Sequence, residues 1–128
     1  VAVIDRNELQ ANLRTEELIP LEPLQEKLMA FGWDVRVFDG HDFVELDKAF
    51  SNLPSTAPTP GTTDDAWDKA PRPTMIIAAT VRGKGLPSIE RRADRWFLDC
   101  SAEEVEALVR ELHDQPSATL TSGPQLVR

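Results

Sequence analysis

Three short stretches carry residues that could do chemistry. At residues 1–10, VAVIDRNELQ, an apolar, β-branched run stops at Asp5 and releases a polar turn beginning with Asn7. In α/β proteins, ligands gather outside the carboxyl ends of such strands, so this turn stands where a ligand would be met. The plainer reading is that most strands end in polar turn residues. At 39–42, DGHD places His41 in a turn. Imidazole titrates near neutrality, but a turn histidine that caps or packs locally is the preferred reading. At 82–85, Arg-Gly-Lys-Gly follows an apolar run directly. Two glycines bracketing Lys84 suit close approach to an anion, because glycine lets the backbone come near and lysine supplies charge. A bare Gly-x-Gly turn is common and says little alone. The single cysteine, Cys100, has no partner for an internal disulfide and no Cys or His at metal spacing, so it reads as a structural thiol. The charge run at 90–95 reads as solvated surface.

The elements that must position these residues follow from periodicity. Residues 11–19 read as an irregular excursion with one helical turn. A helix is expected from near Leu21, with Pro23 in its first turn, Leu21, Leu24, Leu28 and Phe31 as its apolar stripe, and Gly32 as terminator. WDVRVF at 33–38 alternates Trp33, Val35 and Val37 against Asp34 and Arg36, which is a strand. Asp42 as N-cap with Glu45 makes a capping box for a helix whose apolar face is Phe43, Leu46 and Phe50. Residues 51–73 hold Pro54, Pro58, Pro60, Pro71 and Pro73 and read as a long loop, with Trp67 either pinning it, the preferred reading, or reaching a partner. TMIIAATV at 74–81 is the continuous apolar pattern of a parallel strand covered on both faces. Ser101 with Glu104 forms a second capping box, and Val105, Leu108, Val109 and Leu112 define an amphipathic helix ending near His113, which suits the helix dipole. The tail at 114–128 has little to bury and reads as an extended or disordered arm. Strands and helices alternate, which predicts an α/β layer with a mainly parallel sheet and right-handed crossovers.

A length of 128 residues suits one domain, and 41% hydrophobic residues suffice for a core. A short α/β unit leaves sheet edges exposed, so a covering partner is expected. The net charge of -8 and pI near 4.7 argue against nucleic acid and anionic membrane, both of which attract basic surfaces. No apolar run approaches a membrane span and no signal-peptide pattern is present, so a cytoplasmic location is expected. The first residue is Val, which suggests processing, trimming or further residues upstream, without deciding among them.

The ordered set VAVIDRNELQ, AFGWDV at 30–35, DGHD at 39–42 and IIAATVRGKG at 76–85 resembles the amino-terminal, diphosphate-binding region of transketolases. These thiamine-diphosphate enzymes move two-carbon ketol units between sugars. The resemblance spans 1–112 and is strongest at 1–10, 31–42 and 80–85. It implies a three-layer α/β fold with a mainly parallel sheet, residues 1–113 being the second half of a thiamine-diphosphate-binding domain, 51–73 partly a loop insertion and 114–128 a tail. It also implies a site: the Asn7 side chain and the Leu9 carbonyl would ligate the divalent metal that holds the cofactor's diphosphate, an oxygen-only set suited to Mg²⁺ or Ca²⁺. The excursion at 11–19 would lie over the cofactor pocket. His41 would mark a strand–helix junction, and no catalytic residue falls on this chain. The family's Gly-Asp-Gly segment lies outside this sequence, so the metal's Asp is expected from another chain and the aminopyrimidine site from a chain carrying the pyrimidine-binding domain.

One position departs from the pattern. Split, two-subunit transketolases carry a Trp-His pair after this region; Trp96 matches, but Phe97 stands at the histidine. Phe can donate neither a hydrogen bond nor a proton, so the donor is recognised differently, another residue substitutes, or catalysis is weakened. Two functions are therefore expected. The first is a subunit of a split transketolase-like transferase, inactive alone, moving a two-carbon ketol or related acyl unit between small ketose or keto substrates. The second is a non-catalytic assembly or regulatory subunit that retains the fold. Asn7 favours the first and Phe97 the second. Deoxyxylulose-phosphate synthases and dehydrogenase E1 subunits are neighbours within the first class, and AFGW, DGHD and TVRGKG favour transketolase over both.

Overall fold

The computed structural model describes residues 1–54, 70–95, 98–113 and 118–121. Trp67, Trp96 and Phe97, and the tail apart from 118–121, lie outside the described residues. In chain order the elements are β1 (Ala2–Arg6), β2 (Leu9–Gln10), β3 (Leu13–Arg14), α1 (Thr15–Leu18), α2 (Leu24–Ala30), β4 (Asp34–Asp39), α3 (Phe43–Phe50), β5 (Thr74–Ala79), a 3₁₀ turn (Ala93–Arg95) and α4 (Ala102–Leu112). They divide between two compact units. The first comprises Val1–Arg6 with Glu22–Thr80, the second Asn7–Leu21 with Val81–Arg128.

In the first unit a three-stranded parallel sheet runs β1-β5-β4. The apolar run at 74–81 supplies its centre. Five successive residues, Thr74 to Ala78, are buried, with Ile76 fully so, as expected of a strand covered on both faces. The chain moves from β1 past β5 to β4 and then back to β5. Right-handed crossovers, which nearly all parallel connections obey, therefore put α2 and α3 on opposite faces and make a three-layer α/β fold. The register sets Arg6, Ala79 and Asp39 in one row at the carboxyl ends of the strands.

Each outer strand pairs on one side only among the described residues, and its burial alternates. Val3 on β1 and Val37 on β4 stay about half exposed, so the continuous apolar character of 1–5 does not mean burial on both faces. Arg36, expected on the polar side of β4, is half-buried. Its guanidinium donates to the carbonyls of Ala49 at 3.0 Å and Ser51 at 2.7 Å, closing the C-terminus of α3.

The helix starts follow the expected chemistry only in part: α2 begins three residues later than expected, with Pro23 ahead of its first turn, and the box expected between Asp42 and Glu45 is incomplete. α2 starts at Leu24, with Pro23 as its N-cap, and ends before Gly32, whose φ of +87° takes the left-handed turn. Asp42 caps α3 through Val44 N and Glu45 N, while Glu45 turns back to accept from Asp39 N at 2.9 Å instead of completing a box with Asp42. Leu24, Leu28 and Leu46 are half-buried as expected, but Phe31 and Phe43 are 81% and 87% exposed and Phe50 is also exposed. The expected stripes are therefore right at Leu24, Leu28 and Leu46 and wrong at Phe31, Phe43 and Phe50: Phe31 lies past the end of α2, and the covered side of α3 is that of Leu46 and Ala49.

The second unit holds a hairpin that the sequence reading took for an irregular excursion. β2 and β3 pair antiparallel, and one helical turn, α1, follows. Left-handed backbone at Glu8 (φ 64°) and Ala11 (φ 50°) makes the two bends, and Thr15 N donates to Glu8 O at 2.9 Å. The complete capping box on α4 forms as expected between Ser101 and Glu104. Its apolar face does not: Val105, Val109 and Leu112 are about half exposed, whereas Glu104 and Glu111 are buried. No helix among the described residues is long and apolar enough to cross a membrane.

Candidate functional site

Where the apolar strand run gives way to polar residues, the chain enters a tight turn. Asn7 Oδ1 accepts the backbone N–H of Leu9 at 3.0 Å, the local bond that makes Asn a turn former. Left-handed Glu8 sits between them. The bond holds the Asn7 amide in one orientation and uses one lone pair of its oxygen. Both residues are half-buried. Five residues after Asn7, the Asn12 amide oxygen is buried without a hydrogen-bond partner among the described residues. Uncharged oxygen acceptors fit a hard divalent cation. No group of three or more His, Cys, Asp or Glu among the described residues could hold a metal.

The Arg-Gly-Lys-Gly segment opens a closed loop in the same unit. Gly83 and Gly85 adopt φ of +75° and +91°, which a side chain would strain, and Gly83 is also backed by Ile89, whose Cγ1 would lie 3.1 Å from an added Cβ. Lys84 N bonds Val81 O, Leu86 N bonds Gly83 O, and Arg91 N returns to Arg82 O at 3.0 Å, closing residues 82–91 into a ring. Arg82 Nη1 donates to Ala11 O at 2.8 Å, which ties this loop to the segment that Asn7 begins. Lys84 is exposed, so its charge faces outward from a fixed backbone.

His41 is exposed, and its backbone N–H donates to Asp39 Oδ1 at 2.8 Å, which supports the turn reading. Cys100 is half-buried and free. At the carboxyl ends of the sheet, the Thr80 hydroxyl donates to Asp5 Oδ1 in a short hydrogen bond. Sequence reasoning missed three residues. Arg82 was read only as part of a glycine turn, and Glu104 only as half of a capping box. Glu111 received no role, since an acid inside an apolar stripe gives no signal unless its donors are known.

Comparison with known proteins bears on what this arrangement does. The chain is 33% identical over 116 residues to an apulose-4-phosphate transketolase subunit of Phocaeicola vulgatus, covering 90% of this chain and 36% of that protein. It is 31% identical over 115 residues to the 6-deoxy-6-sulfo-D-fructose transketolase subunit SqwG of a Clostridium species, covering 90% of this chain and 37% of that one. Human transketolase matches at 26% over 115 residues, 90% of this chain and 16% of that protein. The chain thus spans little more than a third of the subunit relatives it matches. No protein-family model matches it.

Proposed function

We propose that the chain is a transketolase-family segment and that residues 1–113 form the second half of a diphosphate-binding domain in a split transketolase-like enzyme. That enzyme transfers a two-carbon ketol, or related acyl, unit between small ketose or keto substrates. Sugars that carry a phosphate or sulfonate are supported by the names of two relatives, an apulose-4-phosphate and a 6-deoxy-6-sulfo-D-fructose transketolase subunit. The observation that carries the reading is the fixed Asn7 turn, with its amide oxygen oriented by Leu9 N, in a chain whose relatives are transketolase subunits.

Thiamine diphosphate, when bound, supplies the nucleophilic carbon and electron sink for carbon–carbon bond exchange. The residues here hold and orient. Asn7 Oδ1 and the Leu9 carbonyl would hold Mg²⁺, or Ca²⁺ in its place, and the metal would supply the positive charge that binds the diphosphate. The loop at 82–91 borders the anionic end with backbone kept close by glycine. A Gly-Asp-Gly segment and a pyrimidine-binding domain, both outside residues 1–128, complete the site. None of the residues in this chain moves a proton in this scheme.

Phe97, in place of the family's histidine, favours a second reading as a non-catalytic subunit that keeps the fold. One experiment separates the two. Thiamine-diphosphate affinity of the assembled complex is measured with Mg²⁺ for wild type, Asn7→Ala and Asn7→Asp, beside thermal unfolding. Losing an oriented ligand lowers affinity roughly 10- to 100-fold in Asn7→Ala, while Asn7→Asp keeps an oxygen and retains most of it. Unchanged affinity with a lowered melting point would make Asn7 a turn former alone. No binding by the wild-type complex would favour the non-catalytic subunit.

A further inference from the structure

Two glutamates on α4 are buried, and their bonds leave the helix. Glu111 Oε1 accepts Ser88 N at 2.8 Å, and its Oε2 accepts the Ser88 hydroxyl at 2.7 Å and Ala118 N at 3.0 Å. Glu104 Oε2 accepts Ser101 N at 2.9 Å within the capping box, and its Oε1 accepts Thr121 N at 2.6 Å and the Thr121 hydroxyl at 3.2 Å. The two lie seven residues apart, two turns, on one face of the helix.

The segment 118–121 therefore runs antiparallel to α4. Three extended steps cover about 10 Å, and seven helical residues rise about 10.5 Å, so the pairs 111 with 118 and 104 with 121 are met together only by an extended path. Ser88 sits inside the ring closed between Arg82 and Arg91. A single carboxylate thus joins loop, helix and strap. Burial pushes the Glu111 carboxyl upward, but the donors from Ser88 and Ala118 outweigh it and hold it below its usual value, so it is ionised when it binds them. An ionised acceptor taking three hydrogen bonds is the strong kind.

We propose that Glu111 is a positioning residue for the diphosphate site: it fixes the glycine loop 82–91 through both donors of Ser88, and the strap 118–121, laid across Glu104 and Glu111, locks it in that pose. The proposal rests on the reading that this loop borders the diphosphate, and it assigns Glu111 no contact with cofactor or substrate. Its effect passes through the loop and, by Arg82, to the segment begun by Asn7.

The test uses the full chain in its complex, with amide hydrogen exchange at Leu86, Ser88 and Arg91 and thiamine-diphosphate affinity with Mg²⁺. Glu111→Gln puts an NH₂ group against either Ser88 or Ala118, and Ser88→Ala removes only the hydroxyl bond. Exchange at these amides speeds at least tenfold in Glu111→Gln and less in Ser88→Ala. Affinity falls roughly tenfold in Glu111→Gln, on the scale of losing an outer support of a metal site, with kcat at saturating cofactor unchanged. Adding Ser88→Ala to Glu111→Gln costs no further affinity, because both act through one bond set. Unchanged exchange overturns the proposal outright. Faster exchange with unchanged affinity, in a complex where Asn7→Ala does weaken binding, overturns the positioning role and leaves the site reading standing. Unchanged affinity in both Asn7→Ala and Glu111→Gln overturns the site reading and the proposal with it.

Discussion

Gly40 and Thr80 meet at the carboxyl ends of β4 and β5 with no room for a side chain between them. Gly40 N donates to Ala79 O at 2.8 Å, and a Cβ at Gly40 would lie 3.1 Å from that carbonyl, 3.2 Å from the Ala78 Cβ and closer still to Thr80 Cγ2. This close approach, more than turn chemistry, requires the glycine of the DGHD motif. Gly40→Ala should destabilise the chain by about 1–3 kcal/mol through overpacking, read from urea midpoints. Gly40→Ala with Thr80→Ser, which removes the methyl, should recover most of that loss. A Gly40→Ala midpoint equal to wild type would show that the two strand ends have slack.

Arg36 should behave as a buried cap. Arg36→Met keeps the apolar stem but strips the donors from the carbonyls of Ala49 and Ser51, at a cost of about 1–3 kcal/mol. Arg36→Lys should recover only part, since one ammonium cannot reproduce the fork. Equal unfolding midpoints for Arg36→Lys and wild type would reduce the contact to simple charge.

Glu22 provides a pH test. A hydrogen bond from Leu24 N, then one from the Arg6 guanidinium, holds its carboxyl below the ordinary value of 4.5. A depressed folded value means that the stabilisation is fully present above about pH 4.5 and is lost as pH falls through the folded value. NMR titration of the Glu22 side chain should show a midpoint under 4.5, and Arg6→Gln should move it upward. A midpoint that ignores Arg6→Gln would assign the shift to the Leu24 amide alone.

Ser101→Ala should cost about 0.5–2 kcal/mol by removing the Oγ half of the capping box on α4. It should leave the strap in place, because the Glu104 carboxylate keeps the backbone N–H of residue 101 and both donors of Thr121. Thermal unfolding measures the first effect, and amide exchange at Thr121 the second.

The sequence made some of this legible and hid the rest for physical reasons. Periodicity and capping are local, so β5, the Asp42 and Ser101 caps and the Gly32 stop could be read directly. Burial depends on what lies opposite. Phe31 and Phe43 fit the apolar spacing yet are exposed, because Phe31 falls past the end of α2 and α3 turns Leu46 and Ala49 inward instead. Glu104 and Glu111 invert the rule on α4, since their donors at Ser88, Ala118 and Thr121 are distant in sequence. The Asn7 turn was legible as a strand end, but its bond to Leu9 N and the link from Arg82 to Ala11 are tertiary facts without a periodic trace.

The strand order β1-β5-β4 leaves the sheet without redundancy. Every ladder in it passes through β5, and Ala2 waits for Met75, as Asp34 waits for Thr74, before either outer strand has a neighbour. Closing loops of that length is the slow part of assembling such a sheet. A break in β5 disconnects both outer strands at once, so their amide protons should exchange together, as members of one opening event.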